Sequence, residues 1–479
     1  MAEDKYSDRH RPASDFDTRE AYLNHELEIM RPRRWALNLP KRDYRFEIED
    51  LVPAMAATIG KIVMVTAMVA VFAEGFGLTP EFVAENVRFE MLIAALLFVT
   101  LFSGLFNPRA NLAGTHGPMI PMIPLIVAAG GHPLALGILV GIFGLILGLS
   151  HGGSKLVNLS GDGVKAGLLI FLGMHGLSGQ LIEFKAWSEE IEMPAVAFAV
   201  VFVNVLIFDY LGRAKLRWLS IPLCSVVAGV LAFAMGAPFE FSTEPGLPHM
   251  SPAYWWGEDT GWQMGLPDLQ SFIAVLPFAI LAVAMWSPDF IGHRVFQELN
   301  YPPKAKEVLM DVDDTMTTAS LRQLVGSGLG GGNLASSWGT YIIPASIAKR
   351  PIPAGAILTA ILCIACSVLG WPMDLAMWEP VLRIALIVGV FLPLLRAGMV
   401  MIKDMRTAQV AVSVVFSSTL VNPVFGWSLT MLLDNSGFLG KNSRIEQLAF
   451  QDRILIPLTT FLICTGAMAY VGMIPGLSF

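Results

Sequence analysis

Asn111-Leu112-Ala113-Gly114-Thr115-His116-Gly117-Pro118-Met119-Ile120 and Asn333-Leu334-Ala335-Ser336-Ser337-Trp338-Gly339-Thr340-Tyr341-Ile342 read almost alike. Asn, Leu, Ala, Gly and Ile match at a constant offset of 222 residues. Each stretch opens a hydrophobic run that Gly, Pro or Ser then breaks. A chain that breaks helix inside a bilayer leaves N–H groups that lipid cannot satisfy, so they must face protein or a cavity. If each motif is a short extended piece followed by a half-helix, two helix N-termini point at one centre. Each brings free N–H groups and a partial positive charge. Together they suit an anion or an electron-rich ring. The bland alternative is two glycine-softened helices packed closely in a bundle. The repeat favours the site.

The surrounding sequence is that of a membrane protein. Of 479 residues, 54% are hydrophobic and 15% charged, against about 25% charged in a soluble domain. Mean hydropathy is +0.60. This excludes an ordinary cytosolic enzyme, and it excludes a disordered chain, which needs low hydrophobicity. The apolar runs are continuous rather than alternating, which disfavours a β-barrel. Residues 1–50 hold no signal-like apolar core, and a cytoplasmic N-terminal segment is expected there, its later half lying on the membrane surface. The fold class expected is an all-α polytopic membrane protein with about fourteen spans. The first seven are 51–74, 91–106, the broken 111–129, 133–150, 165–182, 193–212 and 218–237. The second seven are 271–292, a glycine-rich 319–331, the broken 333–348, 352–371, 379–398, 406–432 and 453–474.

Positive charge marks the cytoplasmic side. Arg31, Arg33, Arg34, Lys41, Arg42 and Arg45 precede span 1. Arg213, Lys215 and Arg217 follow span 6, Arg294, Lys304 and Lys306 follow span 8, and Lys349 and Arg350 follow span 10. Segment 238–270, expected outside, holds no Lys or Arg. One loop breaks the rule: 433–452 is expected outside yet carries Lys441 and Arg444. An offset of seven spans is odd, so the second copy enters from the opposite side, as an inverted repeat. Gly/Pro-interrupted segments at equivalent places in two such halves point to a transporter's binding site.

An ionisable residue inside a membrane is costly and points to function. Asp289 sits late in span 8, and His293 follows one helical turn on, on the same face. A partly desolvated carboxylate there can load a proton or ligate Na⁺; the alternative is that the pair marks the interfacial end of the span. Lys61, near the middle of span 1, neutralises Asp289, complements a bound anion, or snorkels to the interface. His116 lies inside the first broken motif. Arg383 is expected to face the interface, and His151 and His175 to be packing or loop residues. Asp311, Asp313 and Asp314 read as a solvated loop or helix cap rather than a metal site. Cys363 and Cys366, a C-x-x-C in an apolar run, read as core residues, and Cys224 and Cys464 also lie in apolar runs. No metal or cofactor is expected beyond H⁺ or Na⁺ as coupling ion.

These features resemble transporters with a seven-plus-seven inverted repeat, a group that includes the SulP sulfate/bicarbonate permeases and the uracil/xanthine nucleobase–cation symporters. Gly104-Leu105-Phe106 followed by Gly117-Pro118, and Ala348-Lys349-Arg350-Pro351, look SulP-like. Asp289-Phe290-Ile291-Gly292-His293 looks like the Glu-His-Ile-Gly-His pattern of uracil symporters. The resemblance implies a core domain from 51–160 and 269–373, a gate domain from 161–268 and 374–479, and a homodimer. It places substrate between the facing starts of spans 3 and 10, at Thr115, His116, Gly117, Pro118, Ser336, Ser337, Trp338, Gly339 and Thr340. Asp289, His293 and Lys61 would couple the ion. Two departures stand out. Thr340 occupies the place of the uracil symporters' base-binding acid, and, with span 14 expected to end at 474, the STAS domain usual in SulP proteins is not expected here.

The function expected is a secondary active transporter of a small anion (bicarbonate, an oxyanion or a small carboxylate), driven by H⁺ or Na⁺ through an elevator-like movement of core against gate. A bacterial inner membrane is expected, with both termini cytoplasmic. The alternative is a nucleobase or heterocycle–proton symporter in which Trp338 stacks on a ring. A passive anion channel would need no titrating carboxylate. The sequence holds no nucleophile–base pair, H-E-x-x-H or ATP-binding loop, which argues against an enzyme or a primary pump.

Overall fold

The computed structural model describes residues 6–45, 51–110, 117–240, 245–257, 265–329, 354–370, 373–440 and 443–476. Among them every regular element is helical and no strand forms. The N-terminal segment carries α1 (Arg19–Ile29), started by Thr18, whose hydroxyl accepts from Ala21 N. The first half continues with α2 (Leu51–Phe76) and α3 (Pro80–Ile93, running on π-helically through Ala94–Phe106). After the first broken motif a 3₁₀ stretch, Gly117–Met122, passes into a short α-helix, Ile123–Ala128. The pair is about 21 Å long, short of the roughly 30 Å hydrocarbon layer, as a half-helix should be. Then follow α4 (Pro133–Leu149), α5 (Gly153–Glu190), α6 (Pro194–Arg213) and α7 (Ser220–Ala234). The second half holds α8 (Leu269–Asn300), α9 (Val312–Leu329), α10 (Ala354–Leu369) and α11 (Glu379–Leu386, a π-helical turn Ile387–Phe391, then Leu392–Met401). It closes with α12 (Met405–Leu420), α13 (Pro423–Ser436) and α14 (Ile456–Tyr470, led in by π-helical Gln451–Leu455).

Among the described residues six stretches are long and apolar enough to cross a membrane: Ala54–Phe76, Leu159–Glu190, Pro194–Arg213, Leu269–Trp286, Glu379–Met401 and Gln451–Tyr470. The chain is a multi-pass membrane protein. Its two halves interleave. α4 packs on α8 and α9, and α10 packs on α2 and α3, while α5 packs on α11, α12 and α13 and α7 on α6 and α11. The α4–α9 contact is close because α4 presents glycines at helical spacing. A Cβ on Gly148 would stand 2.9 Å from Thr317 N and 3.1 Å from Asp313 O, and one on Gly141 3.2 Å from Ser320 O. Without a hydrophobic drive between helices in lipid, such close backbone approach is what holds them together.

The described residues before the two broken motifs, Arg109 and Leu329, lie at opposite ends of α9. Arg109 O, just before the first motif, accepts from Asp311 N at the entry to α9 at 2.8 Å. The second motif follows Leu329, where α9 ends. At 1.5 Å per residue those ends are about 27 Å apart, so the described residues that flank the two motifs stand at opposite ends of one helix, in keeping with an inverted repeat.

Four readings need correction. First, span 2 starts earlier than 91, since α3 begins at Pro80; Glu85, Arg88 and Glu90 lower its hydropathy but are inside the helix. Second, span 5 lengthens into α5, bent at Gly161 (φ 65), where a Cβ would stand 2.9 Å from Arg444 Nη2. Span 8 likewise lengthens into α8, which runs to Asn300, two turns past His293. Third, 406–432 is not one span. Pro423 cannot continue the helix, and Asn422 caps a new one by accepting from Phe425 N at 3.0 Å. Arg406 at the start of α12 reaches Asp434 near the end of α13 at 2.5 Å, so the two helices form an antiparallel hairpin. The loop carrying Arg444 therefore lies on the face where α12 starts, which removes the one violation of the charge rule.

The fourth correction follows from the third. Arg453 Nη2 donates to Ser436 O at 3.1 Å at one end of α14, and Asn422 meets Met468 at 3.2 Å at the other. α14 thus runs from the α12-start face to the opposite face. Arg34 to Asp314, His151 to Asp313, Lys403 to Asp162 and Arg406 to Asp434 join the N-terminal segment to that same α12-start face. α14 therefore runs the other way from the expected span 14, away from the face that carries the N-terminal segment.

Candidate functional site

The strongest polar feature inside the bundle is a buried charge cluster. Lys61 lies mid-way along α2 and is fully buried. Its Nζ stands 3.7 Å from Glu90 Oε1 on α3. The other oxygen of Glu90 accepts from Arg322 Nη2 on α9, and Arg322 Nη1 donates to Gln323 Oε1 at 2.9 Å. Glu90 and Arg322 are each 2% exposed. Among these described side chains two cations meet one carboxylate. A buried charge costs several kcal/mol unless it is compensated, and here one carboxylate, Glu90, serves both Lys61 and Arg322. Arg322 lies seven residues before the end of α9, about 10 Å along the axis, from where the chain enters the second broken motif. Cys363 on α10 is buried among the same helices.

Lys61 therefore neither snorkels nor stands alone. Glu90 and Arg322 were missed in the sequence. Glu90 fell just outside the expected span 2, and Arg322 sat in a weak glycine-rich run whose hydropathy hid a true helix. The signal was present as charges at the edges of apolar runs, at positions that a helix longer by a few turns takes inside.

The sequence-expected substrate residues fall largely outside the described residues: Thr115, His116, Ser336, Ser337, Trp338, Gly339 and Thr340. Gly117 and Pro118 open the 3₁₀ stretch. For Asp289 and His293 the helix is described, and both lie on α8.

Arg383 does not face outward. It is buried on α11, where it meets Glu379 at 2.6 Å, Glu183 on α5, Gln180 Oε1 at 3.0 Å and Glu74 on α2 at 3.7 Å. The long apolar run after it disguised a cluster on the face opposite the N-terminal segment. The aspartates at α9 divide in role. Asp311 is a cap, accepting from Asp314 N at 2.9 Å. Asp314 is buried rather than solvated, receives Arg34 Nε at 2.6 Å and Asn107 Nδ2 at 2.9 Å, and holds the Arg34 guanidinium above its usual value. No group of three metal-ligating side chains occurs among the described residues. His151 is exposed beside Asp313, and His175 stacks on Phe171 at 5.9 Å.

A family model described as "Protein of unknown function (DUF3360)" matches residues 1–478. No curated protein matches the sequence. Among solved structures the chain is similar to the murine Solute Carrier 26 family member A9 anion transporter in its inward-facing state. Identity there is 12%, over 81% of this chain and 68% of that one, with a TM-score of 0.48. A second structure of SLC26A9 gives 12% identity over 81% and 64%, with a TM-score of 0.52. The transmembrane domain of a cyanobacterium bicarbonate transporter, BicA, gives 15% over 81% and 97%, with a TM-score of 0.43. The chain spans about two thirds of the SLC26A9 chains. At such identity the likeness is one of fold, and the SulP resemblance read in the sequence is met at that level.

Proposed function

The chain belongs to the family described as Protein of unknown function (DUF3360), and for it we propose the carriage of a small anion across a membrane, coupled to H⁺ or Na⁺. The observation that carries this reading is the burial of Lys61 and Arg322 around Glu90 inside a membrane bundle. In this reading the cargo is bicarbonate, an oxyanion or a small carboxylate, drawn to the positive side chains of Lys61 and Arg322. The half-helix at Gly117–Ala128 adds N-terminal N–H groups on the side of the first motif. In this reading Thr115, His116, Gly117 and Pro118 contact substrate on one side and Ser336, Ser337, Trp338, Gly339 and Thr340 on the other. Asp289 binds the coupling ion, and His293 tunes it.

The movement is of a core (α2–α4, α8–α10) against a gate (α5–α7, α11–α14). The packing of α4 on α8 and α9 and of α10 on α2 and α3 supports the first group, and that of α5 on α11–α13 the second. The basic N-terminal face is cytoplasmic, the membrane a bacterial inner membrane, and the working unit a homodimer.

The test is charge movement in proteoliposomes as oxyanions, bicarbonate, carboxylates and nucleobases are jumped in turn, with and without H⁺ and Na⁺ gradients. Currents confined to one anion class that need a cation gradient and vanish in Asp289→Asn support the reading. A response confined to nucleobases, or downhill flux indifferent to both gradients and mutation, overturns it.

A further inference from the structure

We propose that residues 31–42 form a binding surface for acidic phospholipid headgroups in the leaflet adjoining the N-terminal face. The segment is pinned at the membrane boundary. Ala36 N donates to Phe106 O at 3.0 Å and Asn38 N to Leu105 O at 2.7 Å, on the last turn of α3. Asn38 Nδ2 adds bonds to Leu105 O, Ala36 O and Arg33 O at 2.9, 2.7 and 3.0 Å. The segment thus lies level with the end of a membrane helix.

Its side chains alternate. Asn38 is buried, whereas Trp35, Leu37 and Leu39 are 46%, 42% and 37% exposed. Trp35 also takes a positive φ of 53, a conformation a tryptophan keeps only where its surroundings over-determine it. Three large apolar side chains turned outward at a helix end fit the interfacial zone, where tryptophan is enriched. The charges around them select the partner. Arg31, Arg33 and Lys41 are exposed. Arg31 donates to the Glu28 and Met30 carbonyls at 2.6 and 2.8 Å and Arg33 to Leu37 O at 3.0 Å. None of the three pairs with a described carboxylate, whereas Arg34 is taken by Asp314 and Arg42 by Asp43. Apolar anchors ringed by uncompensated cations complement an anionic lipid surface. Each such cation contributes roughly a fivefold preference.

The experiment uses the full chain in nanodiscs of brominated phosphatidylcholine or brominated phosphatidylglycerol, which quench tryptophan on contact. The difference between wild type and Trp35→Phe isolates Trp35 emission from the eleven tryptophans. Quenching by both lipids is expected, with phosphatidylglycerol preferred in mixtures by about tenfold or more. In Arg31→Gln/Arg33→Gln/Lys41→Gln the preference should fall to near unity while contact persists, the fold being checked by an unchanged melting temperature. Leaving Arg34 and Asn38 intact keeps the pinning bonds. No quenching of Trp35, equal quenching by both lipids, or quenching that falls as protein density in the bilayer rises would overturn the proposal. The last of these would assign the surface to a second copy of the chain.

Discussion

Glu74 on α2 and Arg383 on α11 meet at 3.7 Å, a contact that bridges the helices grouped around α10 and those grouped around α5. Arg383 is anchored on its own side by Glu379 and Glu183, so Glu74 is the partner free to leave. More than half of its side chain is exposed, and an exposed pair contributes about 1 kcal/mol at most. Glu74→Gln is expected to leave the melting temperature unchanged but shift the core–gate equilibrium by up to roughly fivefold. Spin labels at Glu81 and Glu190, both exposed beyond this face, would report a larger long-distance population. An unchanged distribution would make the contact incidental.

Gly148 and Gly179 should respond to alanine in opposite directions. At Gly148 the new Cβ meets backbone atoms of α9, which cannot move cheaply, and overpacking costs about 1–3 kcal/mol. At Gly179, in the interior of α5, nothing stands within 4 Å, and alanine gains about 0.5–1 kcal/mol in helix propensity. Thermal melting in one detergent compares the two.

The α12–α13 hairpin depends on Asp434, which is buried between Arg406 and Arg444, each at 2.5 Å. Asp434→Asn removes the charge that both guanidinium groups share and should cost about 3 kcal/mol. The topology has its own check. Single cysteines at Phe438 and Arg31 should react with an impermeant thiol reagent from one face, and one at Leu420 from the other. Labelling of all three from one side would contradict the hairpin.

The repeat was legible in the sequence because identical residue types recur at the two places where a helix must break. The bundle was legible because its apolar runs are continuous. What was hidden was charge. Lys61 stood out only because it sits deep within an apolar run. Glu90 and Arg322 sat where hydropathy had already fallen, and only the packing of α3 and α9 takes them inside. Arg383 was misplaced for the converse reason: it stands near the end of its span, yet three carboxylates, two of them on other helices, enclose it. The hairpin was announced by Asn422-Pro423 and by the misplaced charges of 433–452, two signals that agree once they are taken together.

The most direct measurement is anion binding to purified protein carrying Lys61→Gln or Glu90→Gln, read by ligand-induced thermal stabilisation with the transported anion. If Lys61 and Arg322 attract the anion and Glu90 repels it, the two variants move in opposite directions. Lys61→Gln should weaken binding about tenfold or more, and Glu90→Gln should tighten it by a similar factor, because one removes an attraction and the other a repulsion of about 1–4 kcal/mol at close range. Folded variants that shift in the same direction, or bind as the wild type does, would contradict the assignment of Lys61, Glu90 and Arg322 to the anion site.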